Sequence, residues 1–260
     1  MSVLQKQVKV GFLLLLSFLA SDYAAFAEEN SAPVFTDEII GIQNFPVLRG
    51  KSGHTIVLSG IERPQSHGLS GYTLDKARLW LSNHAVGKTL VIQPTGDNYD
   101  LFGRIHALTK EPNPKNWLNV QLLRLGFARV QLNAGFTDHI DILYKAEKEA
   151  RLQNIGLWGT GKFKRFDANQ YNGPYNGFII ATGTITQTAK RRSYLYLNFG
   201  SNWRDDFTIG IPTNDERFDI KTIRNLYVED TKIEIRGLIE NWNGPFIRLD
   251  VAEHLRVIQD

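Results

Sequence analysis

The order of strand-like and helix-like segments after residue 177 is the feature that most restricts the fold of this chain. Alternating apolar and polar residues predict three strands, then an amphipathic helix over 215–226, then two more strands. The predicted strands cover 178–186, 193–199, 207–211, 232–240 and 246–251. Asn241, Trp242, Asn243 and Gly244 predict a hairpin turn between the last two strands. This order of segments is that of a five-stranded Greek-key barrel.

Residues 39–159 contain another set of segments, in which strands come early and helices come late. Strands are predicted at 39–42, 45–48, 54–58, 89–93, 105–109 and 127–132, and helices at 72–83, 117–125 and 140–154. Such an order favours a small barrel of strands with helices packed on it. Residues 160–177 lack periodicity and are rich in Gly and Asn, which predicts a linker between two domains, 39–159 and 178–260.

The first 27 residues have the features of a signal peptide. Lys6 and Lys9 form a basic start, residues 11–20 form an apolar core, and Ala25 and Ala27 flank Phe26 in an A-x-A cleavage site. We expect cleavage after Ala27, a periplasmic or secreted protein, and no membrane span in the mature chain, because the apolar run is too short to cross a bilayer. An uncleaved anchor is the alternative. Residues 28–38 are acidic and polar, which predicts a loose lead-in.

The net charge and the absence of cysteine limit the kinds of binding site and cross-link that the mature chain can form. Removal of Lys6, Lys9 and Asp22 lowers the formal charge from +3 to +2, so a binding site for nucleic acid requires a local basic patch. The sequence contains no cysteine, which excludes disulfides and thiolate metal sites.

Residues 99–105, which read Y-D-L-F-G-R-I, place Arg104 at the start of a predicted strand. The neighbouring Gly103 lets another group approach closely, and the planar guanidinium of Arg104 offers paired donors to a phosphate. An ordinary surface arginine on a hairpin is the alternative.

Four motifs occur in order along the first domain. They are Gly60-Ile61-Glu62-Arg63-Pro64; Asp100-Leu101-Phe102-Gly103-Arg104; Asn119, Leu122, Gly126 and Ala128; and Ala146, Glu147 and Ala150 followed by Gly156-Leu157-Trp158. Together they resemble the staphylococcal nuclease (thermonuclease, TNase-like) family across roughly residues 40–160. The resemblance implies a mainly β fold with α-helices: an SNase-like OB barrel with three helices, here followed by a second, OB-like five-stranded barrel.

The resemblance also implies a catalytic set of which this sequence keeps one member. Val57 and Gln65 replace the expected Arg and general-base Glu, the D-G-D-T metal segment is missing, and only Arg104 matches. Glu62 stands in place of the usual Asp metal ligand and is the only weak metal candidate. Phosphodiester hydrolysis needs a base, positive charge and a divalent cation with several oxygen ligands. We therefore expect a degenerate nuclease without a cofactor; calcium is implied only if activity persists.

A rearranged catalytic site would need a new base. The available candidates are His54, His67, His106 and His139, but histidines that are solvated or satisfied by backbone partners are the favoured interpretation. No spacing typical of histidine metal ligands is present.

The second domain carries aromatic and basic residues together. Alternation places Tyr194 and Tyr196 on one face of a strand, and OB-folds stack single-stranded bases on such aromatics. The candidate nucleic-acid-binding residues of the whole chain are Arg63, Arg104, Lys190, Arg191, Arg192, Tyr194, Tyr196 and Trp203. Alternatively, the tyrosines support the barrel or a domain interface.

Three functions follow from these patterns. The first is an exported, catalytically impaired nuclease homologue that binds single-stranded nucleic acid or another anionic polymer. The second is an active nuclease with a rearranged site. The third is a non-catalytic module of the cell envelope that contacts proteins, and the sequence identifies no protein partner for it.

Overall fold

The computed structural model describes residues 33–62, 71–96, 99–112, 117–133, 136, 139–202 and 204–258. The predicted signal peptide and the first part of the lead-in lie outside the described residues. Arg63, Gln65, His67 and Trp203 lie outside them as well.

Five strands close into a barrel around the first hydrophobic core. They are β1 (Phe35–Asn44), β2 (Val47–Gly50), β3 (Thr55–Leu58), β4 (Thr89–Pro94) and β5 (Ile105–Lys110), in the spatial order β1-β2-β3-β5-β4. Strand β4 closes the barrel by pairing antiparallel with β1, whereas β3 and β5 run parallel. Ile39, Leu48, Ile56, Leu90 and Ile92 are fully buried, as expected for alternate residues that face the barrel interior. The predicted first barrel is confirmed.

Strand β1 begins inside the predicted lead-in. Its residues Phe35–Glu38 pair with residues 89–92 of β4, and Asp37 is buried. The Asp37 carboxylate accepts a hydrogen bond from the Ser52 hydroxyl and lies 2.9 Å from His54 Nδ1. The polar composition of this stretch predicts a solvated segment. The prediction is wrong because the partners of its carboxylates lie 13 to 17 residues later, in the turn between β2 and β3, where a local pattern does not reveal them.

Three helices pack on the first barrel, each within a few residues of its predicted range. They are α1 (Gly71–Ala85), α2 (Leu118–Arg124) and α3 (Ile140–Leu152). Asn119 fastens α2 to the barrel: its Nδ2 donates to the carbonyl of Ser59 at 2.8 Å, and its Oδ1 accepts from the Thr109 N–H at 3.0 Å. No helix among the described residues has the length and apolar composition needed to cross a membrane.

The predicted strand at 127–132 is not formed. Val130 makes only an isolated bridge to Ile61, in which the Gln131 N–H donates to the Gly60 carbonyl and the Glu62 N–H donates to the Arg129 carbonyl. The N–H of Val130 donates to Glu147, and that of Leu132 donates to His254 Nε2. The segment therefore connects the barrel to α3 and to the C-terminal residues instead of extending a sheet.

The second unit follows the predicted order of strands and one helix. Its elements are β7 (Phe178–Thr184), β8 (Gln187–Arg191), β9 (Tyr194–Asn198), β10 (Thr208–Pro212), α4 (Ile220–Leu226), β11 (Lys232–Asn241) and β12 (Pro245–Arg248). Helix α4 is shorter than predicted because the Asp219 carboxylate caps it by accepting from the N–H groups of Lys221 and Thr222.

The second sheet is not a closed barrel. Its strands run in the order β6-β7-β11-β12-β10-β9-β8, where β6 is Arg165–Asp167. Strands β10 and β12 are parallel, and β13 (Leu255–Val257) pairs with β11. Strand β8 is one end of this path and β7 lies next to the other end, yet β7 and β8 are separated in the chain only by Ile185 and Thr186. The Ile185 N–H donates to Thr231 next to β11, while the Thr186 N–H donates to Asn198 of β9. One bent segment thus supplies two strands, β7 and β8, near opposite ends of the sheet, in place of the single first strand that was predicted.

The predicted linker at 160–177 carries structure. Strand β6 (Arg165–Asp167) pairs parallel with β7, and Phe163 and Ala168 are buried. Phe163 belongs to a small apolar cluster with Trp158 from the first unit and Ile180 from the second. The linker is therefore packed between the two units over its first half.

Candidate functional site

Arg104 lies immediately before β5, and Asp100 holds its side chain. Arg104 Nε donates a hydrogen bond of 2.7 Å to Asp100 Oδ2, and Arg104 Nη2 lies 2.6 Å from the same oxygen. Asp100 Oδ1 accepts from the backbone N–H groups of Phe102 and Arg104 at 2.9 and 3.0 Å. The guanidinium is fixed in position, but a carboxylate of the same turn balances its charge.

The environment of Asp100 keeps this carboxylate ionised. Burial acts to raise its pKa, but the hydrogen bonds from Arg104, Phe102 and His106 outweigh burial and hold the pKa of Asp100 well below its usual range. A phosphate group that approaches Arg104 must therefore compete with an anion already bound to it.

His106 and Val57 complete the neighbourhood of Arg104. Val57 of β3 lies in register with His106 of β5, so the position where the resemblance predicts an arginine offers only an apolar side chain. His106 Nε2 lies 3.2 Å from Asp100 Oδ2, and its Nδ1 lies 3.2 Å from Asn133 Nδ2. Since both ring nitrogens have partners, neither is left to activate a water molecule.

The other two described histidine candidates have structural contacts. His54 binds the buried Asp37 through Nδ1. His139 precedes α3 in the left-handed region, at φ 62°, and its ring packs edge-on against Trp117 with centroids 5.3 Å apart.

The carboxylate of Glu62, the only metal ligand suggested by the sequence, is paired with an arginine. The bridge between Ile61 and Val130 brings Arg129 beside Glu62. Arg129 Nη2 donates to Glu62 Oε1 at 2.8 Å, Arg129 Nε donates to Glu62 Oε2, and Arg129 Nη2 also donates to the Phe178 carbonyl at 2.6 Å. Both side chains are nearly buried, at 9% exposure for Glu62 and 11% for Arg129.

These residues do not fit a calcium site. A hard cation requires several oxygen ligands, and both Glu62 oxygens already accept from a guanidinium. In the described part of the chain, no group of three or more His, Asp or Glu side chains is placed to hold a metal ion.

The second unit presents a cavity of about 580 Å³ on the face formed by β8, β9, β10 and the β11–β12 hairpin. Its aromatic walls are Tyr196, Trp242 and Phe246, and Arg191 supplies a cation. Trp242 is half-exposed and meets Phe246 edge-on, with ring centroids 4.8 Å apart. A half-exposed indole beside a guanidinium offers a stacking surface and a phosphate partner in one place.

The structure brings together some of the predicted binding residues of this unit and separates others. Tyr194 and Tyr196 share a face of β9, with ring centroids 5.8 Å apart, whereas Leu195 and Leu197 on the other face are buried. Lys190 lies on the face of β8 opposite Arg191, by strand alternation. Arg192 lies in the tight turn after β8, at φ 49°.

The sequence-based candidates for a binding site do not include Trp242 and Phe246, which line this cavity. The stretch from Asn241 to Gly244 predicts a turn. The strand order of the predicted barrel already indicates that this turn lies close to the strand that carries Tyr194 and Tyr196. Strand β12 pairs with β10, and β10 pairs with β9, so the hairpin before β12 lies beside the tyrosines. Trp242 at that turn is half-exposed and is not part of the hydrophobic core.

Residues 55–160 match the model of a family described as staphylococcal nuclease homologue. The matched range begins with β3 and ends just beyond Trp158, so β1 and β2 complete the barrel from outside it. A search of curated proteins found no match to the chain.

Proposed function

Residues 55–160 form a domain of the staphylococcal nuclease homologue family, and we propose that the protein is a non-catalytic nuclease homologue that binds single-stranded nucleic acid. The observation that carries this proposal is the cavity of Tyr196, Trp242, Phe246 and Arg191 on the second unit. Single-stranded nucleic acid combines bases that stack on aromatic rings with phosphates that bind cations.

The loss of cleavage is supported by the state of the family's catalytic positions. Glu62 is bound to Arg129, and Val57 offers no charge to a transition state. Because an arginine and a metal ion supply the positive charge that stabilises phosphodiester cleavage, a site reduced to Arg104 lacks the means to accelerate it.

Export is part of the proposal. The basic start, the apolar core and the A-x-A site of residues 1–27 support secretion with cleavage after Ala27. Expression with the native N-terminus in a bacterial host, followed by fractionation and N-terminal sequencing, tests it. A mature chain starting at Glu28 outside the cytoplasm supports export, and an intact N-terminus in the cytoplasm contradicts it.

Fluorescence anisotropy with a labelled single-stranded oligonucleotide tests binding directly. We expect affinity to fall steeply with salt, and Trp242→Ala and Tyr196→Ala each to weaken it by about 5- to 150-fold, the equivalent of about 1–3 kcal/mol per stacked base. Tyr175→Ala removes a tyrosine that is similarly exposed but outside the cavity, so it is the matched control.

Two outcomes separate the alternatives. Equal competition by polyphosphate, which has charge but no bases, assigns the site to anionic polymers in general. Binding that is absent, or that is insensitive to both salt and Trp242→Ala, contradicts the proposal and favours the protein-contact module.

A further inference from the structure

A separate cavity of about 600 Å³ lies where the two units meet. The end of α3 and Trp158 from the first unit line it, together with β6, β7 and β11. None of the residues that line the Trp242 cavity lines this one.

The lining of this junction cavity is strongly cationic. Arg151, Lys164, Arg165 and Lys232 contribute positive charges, and among the described residues that line the cavity Asp167 is the only carboxylate. Glu234 behind the wall lies 3.4 Å from Arg151 and 3.5 Å from Arg165, so it balances part of this charge. Glu147 also lies 3.4 Å from Arg151, but Glu147 and Glu234 are both shared with Arg236. Positive charges therefore still exceed negative charges around the cavity, and an anion would neutralise the excess.

Trp158 provides an independent sign of a missing acceptor. It is only 7% exposed, and its indole N–H has no hydrogen-bond partner among the described residues. Buried donors are almost always paired, because an unmade hydrogen bond costs free energy, and an indole can only donate. An acceptor is the only kind of group that could satisfy this N–H, and Trp158 is one of the residues that line the cavity.

The electrostatics of Arg151 agree with this interpretation. Its guanidinium lies 5.7 Å from the centroid of the Trp158 ring. Burial, together with the positive charges of Arg165 and Arg236, lowers the pKa of Arg151 against the opposing effect of Glu234 and Glu147. A bound anion would relieve this crowding of like charges.

We propose that the junction cavity binds a small phosphate-bearing anion. The phosphate oxygens accept from the Trp158 indole N–H and are paired with the cations of β6 and its neighbours, Lys164 and Arg165. Arginine and lysine are the usual partners of phosphate, and charge-assisted hydrogen bonds are the strong ones. Because the lining comes from both units, the anion stabilises their docked arrangement.

Calorimetric titration and thermal unfolding of the full mature chain test this site. The probes are inorganic phosphate and a 5′-mononucleotide, each compared with chloride at matched ionic strength. We expect phosphate to raise Tm beyond the chloride effect. Trp158→Phe, which keeps a ring but removes the N–H, should weaken phosphate binding about tenfold or more, and Arg165→Gln should do the same.

Lys148→Ala is the matched control, since this exposed lysine of α3 does not line the cavity. Tighter binding of the mononucleotide identifies the phosphate of a nucleotide as the ligand, and equal binding identifies free phosphate. No binding above the chloride baseline, or equal phosphate affinity in wild type and Arg165→Gln, overturns the proposal. Because Arg165 is partly exposed, that variant remains informative even if Trp158→Phe does not fold.

Discussion

Arg236 of β11 and Glu147 of α3 form a buried, two-pronged ion pair that joins the two units. Arg236 Nη2 donates to Glu147 Oε1 at 2.6 Å, Arg236 Nη1 donates to Glu147 Oε2 at 2.7 Å, and both side chains are 1% exposed. Arg236 also donates to Glu234 at 2.6 Å and to the Val130 carbonyl at 3.2 Å. Glu147 lies within the range that matches the family model, so a residue of the first unit holds the second unit here.

Arg236→Ala should destabilise the protein by about 3–5 kcal/mol, because it leaves two buried carboxylates without their common partner. Urea unfolding of the full mature chain measures the loss. Arg224→Ala on the exposed side of α4 is the control and should change the free energy of unfolding little. A loss below about 1 kcal/mol would mean that the pair is not buried in solution.

Acidification should weaken this junction through Glu234. Burial acts to raise its pKa, but Arg236 and Arg151 outweigh it and lower the pKa of Glu234 from 4.5. The unfolded chain therefore takes up the proton first, and stability is lost as pH falls from about 4.5 through the lowered pKa. Glu234→Gln should be less stable at pH 7 but lose less stability on acidification.

Unfolding free energies measured between pH 7 and pH 3 compare the two slopes. Glu240→Gln, an exposed position near the end of the same strand, should retain the wild-type slope. Equal slopes in wild type and Glu234→Gln would show that Glu234 is not the group that responds to acid.

Limited proteolysis should cut first at 172–177, the largely exposed end of the predicted linker, rather than at β6. The two fragments should remain together on gel filtration under native conditions, because Arg236 and Arg129 connect the units through buried contacts. First cutting inside either sheet, or immediate separation of the fragments, would contradict this arrangement.

Calcium should not stimulate cleavage of plasmid or denatured DNA by the mature chain, since Glu62 is bound by Arg129 and Val57 carries no charge. Gel-based digestion with and without calcium is the measurement. Cleavage that depends on calcium and disappears in Arg104→Ala, but not in the exposed Arg78→Ala, would show that a rearranged site is active.

Arg191→Ala and Lys190→Ala should affect oligonucleotide binding differently, although the two residues are adjacent in sequence. Arg191 lines the Trp242 cavity, whereas Lys190 lies on the opposite face of β8. Removing one phosphate contact should reduce the slope of log K against log salt by about 0.7 for a single strand. Salt titrations of both variants measure this, and equal slopes would contradict the assignment of the binding face.

The sequence predicted the strands and helices whose buried faces follow a regular spacing along the chain. The alternation in 193–199 separated Tyr194 and Tyr196 from the buried leucines, and the helical spacing in 140–154 located α3. Strand β6 could not be predicted, because three residues carry no periodicity and exist as a strand only by pairing with β7. The same holds for Phe163, whose burial depends on Trp158 and Ile180.

The burial of the charged residues at the junction has no counterpart among the sequence-based predictions. In β11, Glu234 and Arg236 occupy the polar positions of an alternating strand, which predicts a solvated face. They are buried because that face meets α3, whose Glu147 supplies the opposite charge 89 residues before Arg236. Pairing at such a separation leaves no trace in a local pattern.

The contact of Arg129 with both Glu62 and the Phe178 carbonyl makes two properties of this chain mutually exclusive. A carboxylate at position 62 has two oxygens, and both now orient the guanidinium that reaches the first residue of β7. A cation bound there would release Arg129 and loosen the entry of the chain into its second unit. Metal affinity at Glu62 and firm attachment of the C-terminal sheet therefore trade off against each other through a single arginine.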